Sequence, residues 1–327
     1  MSRIYRWGIL GPGRIAEKFS RALDHTEGNE VYAVASQDLE KAKEFASLHQ
    51  AKKAYKGYQQ LVEDPQVDII YIATPHAFHA GQAALCLKHK KPVLCEKPLA
   101  LTYKEAQTVI GQAKKAGVFF MEGMWSSCMP AIRKALSIIE QDIIGPVEFL
   151  RADFGFAAPY DPNGRLFNLA LGGGALLDVG VYPVFLAHQF LGEPKTIHSV
   201  GKLAPTGADE YCNMQFQYDG GQTAMIYASI TVKTSLTAEI AGSKGRIYLT
   251  APFYKSNKLI LELNNGETNS FDFPHEVNGF EFEIRQIAAC LDQGLLENPW
   301  MPHEYTLAMA RVMGTVARQV GLDYGRE

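Results

Sequence analysis

A chain of 327 residues has room for two domains, each with its own core. Hydrophobic residues make up 47% and charged residues 20%, as in ordinary soluble globular proteins, and a net charge of -3 gives no reason to expect nucleic acid or an anionic membrane as partner. Five scattered cysteines (Cys86, Cys95, Cys128, Cys212, Cys290) without a C-x-x-C pair argue against a disulfide framework and a zinc site, and the apolar run Trp7 to Leu10 is too short for a signal peptide or membrane helix. The expectation is a cytoplasmic protein with no bound metal.

In chain order, the first third alternates strands and helices. Residues 6–10 read as a buried strand and 14–23 as a helix. A second strand spans 31–36, and Asp38 can cap a helix over 39–48. A third strand, 67–73, is rich in Ile and Val and leads to a helix over 77–88. A fourth, 92–95, precedes a helix over 103–115 that Thr102 and Glu105 can open as a capping box. Residues 118–121 form a further strand. This alternation predicts βαβ units and a parallel, doubly wound sheet.

After Glu122 the pattern changes. Helical segments are expected at 131–140 and 175–190, and period-two strands at 147–154, 210–218, 223–232, 236–241 and 258–263. Asp219-Gly220-Gly221 and Asn264-Asn265-Gly266 are hairpin signals. Helices at 280–292 and 304–320 close the chain. The fold class is therefore α/β: a Rossmann-type domain over 1–123, then an α+β domain over 124–327 with a large, open, mainly antiparallel sheet.

Chemistry concentrates in three motifs. Gly11-Pro12-Gly13-Arg14-Ile15-Ala16 follows the first strand and opens a helix. The first glycine permits a tight turn, the second lets a pyrophosphate approach, and the helix start supplies positive potential. The end of the second strand, Ser36-Gln37-Asp38, has no carboxylate at Ser36 to repel a 2′-phosphate. Asp38 could reach a ribose or cap its helix, so NADP and NAD both stay open, with a lean to NADP. Glu96-Lys97-Pro98, and Thr74-Pro75 with His76 and His79, stand where parallel strands end, the ligand edge of such a sheet. His79 packs or caps more readily than it binds metal, because no carboxylate at ligand spacing accompanies the pair.

The third motif runs from Gly172 to Tyr182. Three glycines open a helix that sets Asp178 and Tyr182 four residues apart, on one helical face. A free Tyr, with a pKa of about 10, is a poor base near neutrality, and a neighbouring ammonium such as Lys97 would favour its phenolate. Trp125 and Phe154 are core residues by default and cleft-wall residues by the sharper reading.

With these motifs the chain resembles the Gfo/Idh/MocA oxidoreductases almost end to end. Within that family Met121-Glu122-Gly123-Met124-Trp125, Tyr182 in place of the commoner His, and Gly242-Ser243-Lys244-Gly245 resemble the dimeric dihydrodiol dehydrogenase branch. The resemblance implies hydride transfer between a nicotinamide cofactor, NADP or NAD, and a secondary alcohol or ketone of a sugar, polyol or cyclic diol. It implies Lys97 and Tyr182 as the catalytic pair with Asp178 orienting the site. It further implies a cis Lys97-Pro98 bond, cofactor contacts from Gly11 to Ile15, Ser36, Gln37, Thr74, Pro75, His79, Glu96 and Lys97, and substrate contacts from Trp125, Phe154 and Tyr182. A homodimer through the second sheet is also expected. The chain departs from that branch at Gln37, where Arg is frequent, and at Ser126-Ser127-Cys128, where Thr-Arg-Phe is frequent. The rival reading is a cofactor-binding regulator without turnover, which could dispense with Lys97 or Tyr182. A glycosidase using bound NAD would need a further acid/base set that the sequence does not offer.

Overall fold

The computed structural model describes residues 3–326. The chain divides into two compact units. The first holds the residues up to Ala100, Lys104–Trp125 and His275–Thr306; the second holds Leu101–Tyr103, Ser126–Pro274 and the residues from Leu307 onward. The segment around the helix Phe280–Asp292 thus returns to the first unit.

In the first unit the elements run β1 Tyr5–Leu10, α1 Arg14–Asp24, β2 Asn29–Ser36, α2 Leu39–Leu48, β3 Lys53–Lys56, α3 Gln59–Glu63, β4 Ile69–Ile72, α4 His79–Lys88, β5 Val93–Glu96, α5 Tyr103–Ala116 and β6 Phe120–Gly123. All neighbouring strands pair in parallel, in the order β3-β2-β1-β4-β5-β6. All four residues of β4, Ile-Ile-Tyr-Ile, are buried, as befits a central strand covered on both faces. The order reverses between β1 and β4, and the crevice beyond the carboxyl ends of those strands is where doubly wound sheets bind ligands. The sequence reading lacks β3 and α3. Each is short, and Lys-Ala-Tyr-Lys carries no apolar run.

The second unit runs α6 Pro130–Glu140, β7 Val147–Gly155, α7 Val181–Leu191, β8 Thr196–Leu203, β9 Asp209–Gln217, β10 Thr223–Ser229, β11 Ala238–Gly242, β12 Gly245–Leu249, β13 Lys258–Leu263 and β14 Thr268–Asp272. These strands form one sheet in the order β14-β13-β12-β11-β7-β10-β9-β8. Its pairs are antiparallel except β7 with β10. Both hairpin signals fall where expected, between β9 and β10 and between β13 and β14. The chain ends with α8 Phe280–Asp292 and α9 His303–Val320.

The helix expected over 175–190 is not regular throughout. Leu176–Gly180 forms a π turn, and α7 follows from Val181. Pro183 lacks the N–H that would carry a regular ladder back into this turn. π turns recur at functional positions, and Asp178 lies inside this one.

Local chemistry sets α2 as the sequence predicts. The Asp38 side chain accepts from the Glu40 amide at 3.0 Å, capping the helix. Asp38→Ala is expected to cost about 1 kcal/mol. Denaturant unfolding of the variant should show a lower midpoint with unchanged slope.

Candidate active site

The first unit gathers the expected cofactor residues at the carboxyl edge of its sheet. Gly11 has φ +85°, and a Cβ there would lie 2.6 Å from Thr74 Cγ2, so the turn after β1 presses against the end of β4. Gly13 differs: a Cβ would meet nothing within 4 Å. Open space therefore faces Gly13 at the start of α1, which has no side-chain cap. Uncapped amides at a helix start with room before them suit a pyrophosphate. The residues present fit a dinucleotide cofactor, with Pro12, Arg14 and Ile15 completing the turn.

Beside it, the Ser36 hydroxyl accepts from the Asp38 amide at 3.2 Å. The Asp38 carboxylate is engaged with its own helix through the Glu40 amide. Thr74 Oγ1 donates to Gln82 Oε1 at 2.7 Å. The Tyr58 phenol bonds with the side chains of Gln37 and Gln82, and burial raises its pKa. Tyr58 and Gln82 thus join Ser36, Gln37 and Thr74, although neither stands in a motif the sequence exposes.

His79 is fully buried, with Nδ1 2.8 Å from the Pro98 carbonyl and Nε2 2.7 Å from that of Thr74. It ties the loop after β4 to the loop after β5. Burial holds its pKa below the ordinary value, despite two carbonyls that favour the charged form. Glu96 and Lys97 are both buried, the Tyr71 hydroxyl donates to Glu96 at 2.5 Å, and the Lys97-Pro98 bond is cis. Trp125 stacks on Phe280 with centroids 4.2 Å apart. Phe280 in turn meets Phe19 edge-on at 5.7 Å.

The second unit holds Asp178, Tyr182 and Phe154. Asp178 pairs with Arg165, whose Nη1 lies 2.7 Å from Oδ1 and whose Nη2 lies 3.4 Å from Oδ2. Sequence reading misses Arg165, which lies thirteen positions upstream in an irregular loop. Tyr182 is buried among aromatic rings, 5.5 Å from Phe154 and 5.0 Å from Tyr254. Phe154 and Tyr254 are themselves stacked, 4.6 Å apart at 7°. The Tyr254 carbonyl accepts from Ser126 Oγ at 2.6 Å. An ionisable phenol in an aromatic pocket, near a carboxylate held by a guanidinium, can exchange a proton with a bound hydroxyl.

Comparison with known proteins gives the family. Residues 5–124 match the Gfo/Idh/MocA "Oxidoreductase family, NAD-binding Rossmann fold", and residues 132–248 match the "GFO/IDH/MocA C-terminal domain". A trans-1,2-dihydrobenzene-1,2-diol dehydrogenase of Xenopus tropicalis is 36% identical over 98% of this chain and 99% of its own. The chain belongs to the Gfo/Idh/MocA oxidoreductases. The Homo sapiens protein of the same name is 33% identical, covering 98% of both chains. Among solved structures, an aldose-aldose oxidoreductase from Caulobacter crescentus superposes with a TM-score of 0.88 at 25% identity, covering 98% of both chains. The 3-ketoreductase KijD10 from Actinomadura kijaniata, solved with NADP and TDP-benzene, gives a TM-score of 0.85 at 26% identity, over 97% of this chain and 98% of its own. This Gfo/Idh/MocA member is an NAD(P)-dependent dehydrogenase or reductase acting on CH–OH groups.

Buried acids surround its lysine. Glu122, at the end of β6, is buried and accepts the Leu99 amide at 2.8 Å. Burial pushes its pKa up to about 7 from the usual 4.5, against the pull of Lys97. Glu283 on α8 is fully buried, neither carboxyl oxygen has a hydrogen-bond partner, and burial together with the charge of Glu96 raises its pKa well above the usual value. A carboxyl whose pKa is raised on folding stabilises the fold below its unfolded pKa, and that contribution is lost as pH rises through the folded pKa. Glu122→Gln keeps the shape and cannot titrate. Thermal unfolding across pH should therefore show the variant gaining on wild type between about 4.5 and about 7, with a constant difference above. A constant offset throughout would remove the raised pKa of Glu122.

Proposed function

We propose that this oxidoreductase interconverts a secondary alcohol and its ketone on a sugar, polyol or cyclic diol, with NADP favoured over NAD. The observation that carries the reading is the open space at Gly13 before an uncapped helix start, with Lys97 at the same sheet edge. The names of the relatives, a dihydrobenzene-diol dehydrogenase, an aldose-aldose oxidoreductase and a 3-ketoreductase solved with NADP, support the substrate and cofactor classes. Ser36 supports NADP, since it places no carboxylate against a 2′-phosphate.

The nicotinamide, when bound, supplies or accepts the hydride. The chain's own residues do the rest. Amides at the start of α1 hold the phosphates. Lys97 binds the substrate oxygen and stabilises charge that develops on it. Tyr182 moves the hydroxyl proton. Asp178, fixed by Arg165, orients the hydroxyl. Trp125, Phe154 and Tyr182 present ring surfaces to the substrate. We also propose a cytoplasmic homodimer that meets through the second sheet. Its exposed face carries Val200 and Met225, 66% and 51% accessible, beside the neighbouring rings of Tyr211 and Tyr227. Five buried, free cysteines suit a reducing compartment.

Four measurements test this reading. Tyr182→Phe removes only a hydroxyl; its rate should fall on the order of 10²–10⁴-fold while fluorescence titration shows cofactor binding intact. Lys97→Met should lose most turnover and likewise keep its cofactor, and an unchanged rate in either variant would take that residue out of the mechanism. Ser36→Asp should move relative affinity from NADP toward NAD in paired titrations. For assembly, Met225→Asp should shift sedimentation from dimer to monomer.

A further inference from the structure

Asp209 opens β9 and is fully buried. Its Oδ2 accepts two donors, the Leu176 amide at 2.7 Å and the Cys212 thiol at 3.2 Å. Its Oδ1 has no hydrogen-bond partner and lies against Gly174, where a Cβ would sit 2.0 Å away. Gly174, at φ +125°, is thus the residue that admits the carboxylate. The Tyr324 hydroxyl donates to the Gly173 carbonyl at 3.4 Å. Leu176 begins the π turn that contains Asp178 and leads into Tyr182. Its amide is one of the donors that a helix start leaves without an internal partner.

We propose that Asp209 is a positioning residue, whose ionised carboxylate fixes the Leu176 amide and thereby the segment that carries Asp178 and Tyr182. This rests on the reading of those two residues as the working groups. An anion at a helix start is favoured, and it accepts more strongly than a neutral acid. A protonated Asp209 would weaken that bond, because a neutral acid accepts less strongly than a carboxylate. Burial pushes the Asp209 carboxyl up to about 6, while the Leu176 amide, the Cys212 thiol and the amides of Asp209 itself and Ala175 pull it down. The titratable groups facing it are Cys212 on its own strand and Tyr324 from the C-terminal segment, both with raised pKa and so neutral; neither supplies a cation. Loss of the Leu176 bond with the Asp209 carboxyl still buried would raise its pKa further, so that bond loosens as pH falls through about 6, whereas exposure of the carboxyl to water becomes harder.

Amide hydrogen exchange of the full-length protein at pH 8 and pH 5, corrected for intrinsic rates, reads this directly. Wild type should lose protection several-fold at pH 5 at the Leu176 amide and its neighbours within 174–182, through local openings that keep Asp209 buried, with no comparable loss in α8. Asp209→Asn retains an acceptor of the same shape and cannot titrate; its protection there should not change with pH, and the acid limb of its kcat profile near 6 should flatten. Equal loss in wild type and variant, or none in wild type, overturns the proposal. Should the variant not fold, the wild-type contrast between 174–182 and α8 decides alone. An exchange response with no matching change in kcat would instead overturn the reading of Asp178 and Tyr182.

Discussion

One close approach governs the ligand edge of the first unit. The turn after β1 and the end of β4 are packed so tightly that only glycine fits at position 11, because a Cβ would press on Thr74 and on the Ala73 carbonyl. That contact exists because the strand order reverses between β1 and β4. The two chain ends diverge beyond it, and the start of α1 is left facing open space at Gly13. Thr74 then reaches Gln82, and His79 links the Thr74 and Pro98 carbonyls, so the loops after β4 and β5 are fixed against each other. Lys97, between Glu96 and Pro98, inherits its position from that strut.

The surroundings of Lys97 are costly by ordinary standards. Glu96, Glu122 and Glu283 are all buried in the first unit, and Lys97 is the buried ammonium among them. Three carboxylates beside one ammonium would leave uncompensated buried charge, which proteins avoid by keeping protons on the acids. The raised pKa values of Glu122 and Glu283 are that outcome. An unpartnered acid such as Glu283 gives up stability that an apolar side chain would return. Such sacrifices concentrate at functional sites. The aromatic chain Trp125, Phe280, Phe19 and Tyr71 leads to Glu96, each ring packed on the next. α8 thus contributes to the lysine's environment from a segment distant in sequence.

Much of this was legible in the sequence, and the failures share a cause. The βαβ series, the Asp38 cap, both hairpin turns and the bounds of α8 follow from local rules, and local rules sufficed. β3 and α3 escaped because they are too short for a periodic signal. β8 escaped because Thr-Ile-His-Ser-Val-Gly-Lys-Leu, an edge strand, never buries a full face. The parallel pairing of β7 with β10 and the return of residues around α8 to the first unit are long-range facts that no local pattern encodes. The same holds for the site. Gly11, Gly13, Lys97, Asp178 and Tyr182 announce themselves by motif. Arg165, Tyr254, Asp209 and Glu283 matter through what they touch, and only the fold brings those partners together.

Isotope tracing reads hydride transfer between the nicotinamide and a substrate carbon directly. The wild-type protein would be incubated with NADPH deuterated at C4 of the nicotinamide, on each face in turn, and with a panel of cyclic and sugar-derived hydroxy-ketones. The alcohol formed should carry one deuterium on the carbinol carbon, from one face of the cofactor only. Cofactor binding without deuterated alcohol from any member of the panel, or label lost to water, would contradict hydride transfer.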